Sequence, residues 1–117
     1  MGLMKKNMVQ SPGRGEIVWV NLDPTVGGEI PKRRPCVVLS RSVLNAARLT
    51  VVVVPLSSAG TPRPPLAVGI PSAGQHSNAR IDQIRAVDKT RIGETIGKAT
   101  RAEMIAVEEG LRAVLEL

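Results

Sequence analysis

Residue types and spacings suited to chemistry fall in three places along the chain. Lys32, Arg33 and Arg34 end a proline- and glycine-rich stretch directly before an apolar run, and such a cluster binds phosphate. A solvated loop accounts for Lys32 and Arg33 equally well. Arg34 differs, because Pro35 behind it confines its backbone to extended geometry and so aims its guanidinium. The second group, Arg80, Asp82, Gln83, Arg85, Asp88 and Lys89, is a dense mix of both signs. On a regular strand Arg80 and Asp82 share one face, where each can position the other and perturb its ionisation. A surface ion pair is the plainer reading, although such pairs contribute little stability. Third, Ser57 and Ser58 follow a strongly apolar run, where a hydroxyl can meet a ligand at a sheet's edge.

Composition limits what these groups can do. The chain has 117 residues, enough for one small domain, and its 43% hydrophobic content supplies one modest core. Trp19 is the single aromatic residue, which excludes recognition of several bases by stacking on Tyr or Phe and leaves electrostatic and hydrogen-bonded contact. Cys36 and His76 are the only cysteine and histidine, so neither an intrachain disulfide nor a Cys/His zinc site can form. A metal-free, cofactor-free protein of the cytoplasm is expected, and no glycine-rich nucleotide fingerprint has the required spacing. Cys36 reads as a small buried hydrophobe and Trp19 as core or interface. His76 lies in a turn-forming stretch without a catalytic pattern around it. Net charge is +6; residues 100–117 carry −2 of it, leaving +8 on the remainder.

The elements that must position these residues follow from pattern. Residues 1–13 read as a flexible lead-in and 14–117 as one domain, with neither a secretory signal nor a transmembrane run. Glu16–Asn21 is a first strand, Leu22–Arg34 a long loop, and Pro35–Ser40 a second strand whose proline is tolerated as its first residue. Ser40 or Ser42 is expected to cap a helical turn reaching Arg48. Thr50–Pro55, almost all β-branched, predicts a central strand buried on both faces, and Ser57–Pro65 a second loop before a short strand at Leu66–Ile70. Ala79–Val87 predicts a further strand, with a bulge near Asp82 or Gln83 to reconcile the three-residue spacing of Ile81 and Ile84. Thr100 and Glu103 form a capping box that opens a helix with an apolar stripe of Met104, Val107, Leu111, Val114 and Leu115. The result is a strand-rich body closed by one C-terminal helix.

Four segments together resemble the MazF/PemK family of toxin endoribonucleases: RGEIVWVNLDPTVGGE (Arg14 to Glu29), RRPCVVLS (Arg33 to Ser40), VVVPLSS (Val52 to Ser58) and DQIRAVDK (Asp82 to Lys89). The resemblance implies an SH3-like antiparallel barrel with a C-terminal α-helix, a homodimer, and metal-independent, sequence-selective cleavage of single-stranded RNA under control of an acidic antitoxin segment. It places the catalytic arginine of one branch of the family on Arg34 and a hydroxyl residue, threonine in the family, on Ser57. A second branch uses an Arg-x-Asp pair, which falls on Arg80 and Asp82, with a histidine in the first long loop where this chain has Gly28. Glu29, Gln83 and Arg85 match positions near the RNA groove, joined by Lys32, Arg33 and Ser58. The runner-up is a non-enzymatic inhibitor similar to the CcdB toxins that block gyrase from the same barrel, and a third reading is a plain RNA-binding module. CcdB-type determinants lie chiefly on the C-terminal helix, so the Arg/Asp cluster argues for the nuclease.

Overall fold

The computed structural model describes residues 11–60 and 63–117. Its strands are β1 (Glu16–Asn21), β2 (Arg33–Val38), β3 (Thr50–Ser57), β4 (Ala67–Gly69), β5 (Asn78–Arg80), β6 (Arg85–Asp88) and β7 (Ile92–Lys98). Helix α1 (Ser42–Ala47) joins β2 to β3, and α2 (Arg101–Leu115) ends the chain. The strands form one antiparallel sheet of order β4-β5-β3-β2-β1-β7, with β6 paired to β3 beside β5. This is the expected architecture, mainly antiparallel β with a C-terminal helix, although the barrel is not closed and β4 and β7 end the sheet order.

Alternation along each strand feeds two cores. Ile17, Val37, Val54 and Leu56 point to the side covered by α2, whereas Val18, Val20, Cys36, Val38, Val51 and Val53 fill the other. β3 is central and buried on both faces, as its β-branched run requires, and extends to Ser57. Pro35 is the third residue of β2, not the first. The missing N–H is tolerated because the ladder to β3 begins only at Cys36, leaving Pro35 paired with Trp19 of β1 alone.

Three local expectations change. The serine cap of α1 is absent: Arg41 stands at the N-cap without a side-chain bond, the Ser40 hydroxyl joins Asn45 to the Val52 amide, and the Ser42 hydroxyl accepts from the Arg14 amide at 3.1 Å. No bulge interrupts one long strand. Instead β5 and β6 are separate, because five residues, Arg80 to Ile84, stand against only Val54 and Pro55 of β3. A bulge absorbs about one extra residue, so Ile81–Gln83 coils into a 3₁₀ turn beside Pro55, which has no N–H to pair there. β7 is an addition to the sequence reading; its glycines and exposed Glu94, Thr95 and Ile96 leave no alternation to see.

The capping box of α2 is present, with Glu103 N–H donating to Thr100 Oγ1 at 3.1 Å and Thr100 N–H to Glu103 Oε1 at 2.7 Å. Val107 is buried, and Met104, Leu111 and Val114 pack beside it, but Leu115 is 49% exposed and leaves the stripe. Most of the expected lead-in, residues 1–10, lies outside the described residues. Ser11 to Gly13 lie against α1, with Pro12 buried and its carbonyl accepting from Asn45 Nδ2 at 2.8 Å. No helix among the described residues is long and apolar enough to cross a membrane.

Candidate active site

The start of β2, the end of β3, the end of β5 and the 3₁₀ turn that follows meet at one place. There Arg34, Ser57, Arg80 and Asp82 line a cavity of about 260 Å³ with Gly28, Ile30, Pro31 and Gln83. Ile30, Asp82 and Gln83 are shared with a neighbouring hollow of about 360 Å³ that adds Glu29 and Arg85. Arg34 and Ser57 open on the other side into a smaller recess with Ser58 and Ser77. The three spaces make one cleft, carrying three guanidinium groups, two carboxylates and several hydroxyls.

Each guanidinium of the cleft is held by a backbone carbonyl rather than by an opposite charge. Arg34 Nε donates to the Pro31 carbonyl at 2.9 Å, Arg80 Nη2 to the carbonyl of Ala59, and Arg85 Nη1 to that of Leu22 at 3.2 Å. A guanidinium bonded to a neutral carbonyl keeps its full charge and further donors for an anion. The expected Arg80/Asp82 ion pair is not formed, since the 3₁₀ turn breaks the strand between them; among the described residues the one ion pair joins Arg14 to Glu108, far along the chain. Asp82 is exposed in the cleft and Ser57 Oγ accepts from the Ala59 amide at 3.1 Å.

Gln83 and Glu29 are occupied with the long loop. Gln83 Oε1 accepts from Ile30 N–H at 3.2 Å while its Nε2 donates to the Gly28 carbonyl at 3.4 Å, so the turn clasps the loop that roofs the cleft. Glu29 Oε1 accepts from the Val26 amide at 2.8 Å. Lys32 and Arg33 stand outside the cleft. Lys32 is exposed at φ 75°, and the Arg33 guanidinium lies 4.6 Å over the Trp19 ring. Ile30, Ser77 and Asn78 border the site without a sequence signal, because each sits in a stretch that reads as loop or turn.

Among the described residues no three His, Cys, Asp or Glu side chains are grouped to hold a metal ion. Cys36, wholly buried behind Arg34 and Arg85, has its thiol pushed up to about 12 by burial, against the lowering pull of the Arg85 and Arg34 charges.

An antiparallel sheet whose strand ends gather three arginines, a hydroxyl and a carboxylate in one cleft defines a small β protein with a polar, arginine-lined cleft. Comparison narrows that class. The model of the PemK-like, MazF-like toxins of type II toxin–antitoxin systems matches residues 13–115, and the chain belongs to this family. It is 31% identical over 110 residues to endoribonuclease MazF6 of Mycobacterium tuberculosis, covering 89% of this chain and 96% of that protein. Endoribonuclease MazF9 of the same organism is 33% identical over 113 residues, with the same coverage. Among solved structures, MazF of Deinococcus radiodurans superimposes with a TM-score of 0.83 at 27% identity, covering 92% of this chain and 99% of that one. The MazE–MazF complex from that organism gives 0.76, also at 27% identity.

Proposed function

We propose that this chain is a toxin endoribonuclease that cleaves single-stranded RNA sequence-selectively and without a metal ion, acting as a homodimer of one toxin domain over residues 14–117. The observation that carries this reading is the convergence of Arg34, Ser57, Arg80 and Asp82 on one cavity. The reaction is attack of an RNA 2′-oxygen on the adjacent phosphorus. The P–O5′ bond breaks, O5′ takes up a proton from water in the open cleft, to which the 2′-hydroxyl proton is in turn released, and the products carry a 2′,3′-cyclic phosphate and a 5′-hydroxyl. Asp82 accepts the 2′-hydroxyl proton. Arg34 and Arg80 hold the charge that grows on the phosphorane, a task for groups that stay protonated and donate in pairs, and Ser57 orients the phosphate. Glu29, Ser58, Gln83 and Arg85 shape the groove beside the scissile bond; Lys32 and Arg33 meet the strand outside the cleft. An acidic antitoxin segment silences the site by competing for the same guanidinium groups.

The test is incubation of the purified protein with a long single-stranded RNA in excess EDTA, beside Asp82→Ala. Discrete fragments with 5′-hydroxyl ends, lost in the variant, are expected. Arg34→Ala and Arg80→Ala are each expected to slow cleavage by about 10²–10³-fold, the cost of removing a preorganised donor to developing charge. Unchanged rates in both folded variants would remove the proposed site. Intact RNA from folded wild-type protein would instead favour a gyrase-type inhibitor, which a supercoiling assay reads directly. Light scattering of the free protein checks the dimer.

A further inference from the structure

Asn78 opens β5 with none of its surface accessible, yet neither Oδ1 nor Nδ2 of its carboxamide has a hydrogen-bond partner among the described residues. The other buried, unpartnered side-chain atom among the described residues is Arg80 Nε, two positions further along the strand. A buried amide without partners loses its hydration and recovers nothing, so an apolar residue of similar size would serve β5 better. Such groups in a folded protein call for an explanation in function.

The register supplies one. Asn78 stands directly opposite Ser57, and Ala79 opposite Leu56. Leu56 and Ala79 point into the core under α2, which turns Ser57, Asn78 and Arg80 to the other face, where Ser57 and Arg80 line the candidate cavity. Arg80 is tethered to the rim in this state, its Nη2 donating to the Ala59 carbonyl. An acceptor without a donor and a donor without an acceptor are thus neighbours on one strand face.

We propose that Asn78 is the positioning residue for Arg80, an inference that rests on the nuclease reading above. When an RNA phosphate draws the guanidinium off Ala59 into the cavity, Nε–H donates to Asn78 Oδ1. That bond fixes the plane of the guanidinium, so that Nη1 and Nη2 fork onto the phosphate oxygens. Because the Asn78–Arg80 bond forms only with the phosphate engaged, its worth appears in the reacting complex and not in the free protein.

Asn78→Val, apolar and suited to a strand, tests this against Arg80→Ala and the double variant. Thermal melting, the cleavage rate at saturating single-stranded RNA and the half-saturating RNA concentration are measured for each. Asn78→Val is expected to melt at or above the wild-type temperature while cleaving about tenfold more slowly, with half-saturation within about twofold. In the Arg80→Ala background it is expected to change nothing further. A wild-type rate, a lowered melting temperature, or an undiminished tenfold loss without Arg80 would each overturn the proposal. A second readout needs no cleavage: an uncleavable 2′-deoxy single strand is added and the ¹⁵N-resolved Arg80 Nε–H resonance followed. A downfield shift in wild type that Asn78→Val abolishes supports the positioning role even if RNA stays intact, in which case only the nuclease reading fails. No shift in wild type refutes it.

Discussion

Cys36 shows how the environment of one atom decides a reactivity. Its thiol is wholly buried in β2 and pushed up to about 12, with burial outweighing the nearby Arg85 and Arg34 charges. At pH 8 it is therefore almost entirely protonated and sterically closed, and alkylation of the native protein is expected to be about a thousandfold slower than in denaturant. A mass-spectrometric time course with iodoacetamide, with and without urea, checks this; equal rates would mean that β2 opens readily. The sequence already pointed to an inert thiol, since an apolar strand is a poor setting for a thiolate. Arg34 was legible for a related reason, because the proline after it restricts the backbone. Asn78 was not legible: a lone polar residue after a turn-forming stretch is ordinary, and only the register that faces it with Ser57 makes it unusual.

Elements read well where the local code is redundant and poorly where tertiary contacts decide. The start of α2 is specified by Thr100 and Glu103 within one turn, and the structure ties it further, since Glu103 Oε2 also accepts from the Ser72 amide at 2.9 Å. Burial raises the Glu103 carboxyl, but hydrogen bonds from Ser72 and Thr100 prevail and leave it below its ordinary value near 4.5. A lowered folded-state value means that this stabilisation is fully present above the ordinary value and is lost as pH falls through the lowered one. Glu103→Ala is expected to lose about 1 kcal/mol at neutral pH, and less in acid; urea unfolding at pH 7 and pH 3 measures both. Gly110 of α2 offers a complementary test. Alanine favours a helix by up to ~1 kcal/mol over glycine. Here, however, an added Cβ would stand 3.1 Å from the Pro65 carbonyl oxygen and 3.2 Å from Ile81 Cγ1. Backbone contact outweighs propensity, so Gly110→Ala is expected to be less stable by about 1–2 kcal/mol, and a gain on urea unfolding would show that the helix can shift. The 3₁₀ turn and β7 escaped the sequence for different reasons. The first follows from register, five residues facing only Val54 and Pro55 of β3, and the second is a half-exposed strand with glycines where apolar alternation would be.

At the scale of the whole molecule, charge and shape act together. The net charge of +6 is spread unevenly: residues 100–117, which include α2, carry −2, whereas the cleft carries Arg34, Arg80 and Arg85. A uniform positive surface would attract any polyanion equally, whereas on the proposed reading three guanidinium groups against two carboxylates in one concave site draw a phosphate backbone to the cleft. Each neutralised phosphate releases counterions from single-stranded RNA, so log affinity should fall against log salt with a slope of about −0.7 per contact. Three contacts give a slope near −2 and a loss of about twentyfold between 50 and 200 mM salt. Arg85→Ala is expected to flatten the slope by about 0.7 without changing the chemistry of the cleaved ends, because Arg85 lines the neighbouring hollow and not the cavity of Arg34, Ser57 and Arg80. Arg33→Ala, whose guanidinium lies over Trp19 outside the cleft, tests how far the strand runs. Binding of an uncleavable 2′-deoxy strand across a salt series measures both slopes. A slope that Arg33→Ala reduces and Arg85→Ala leaves intact would place the strand along the Trp19 side of the sheet, away from the cleft.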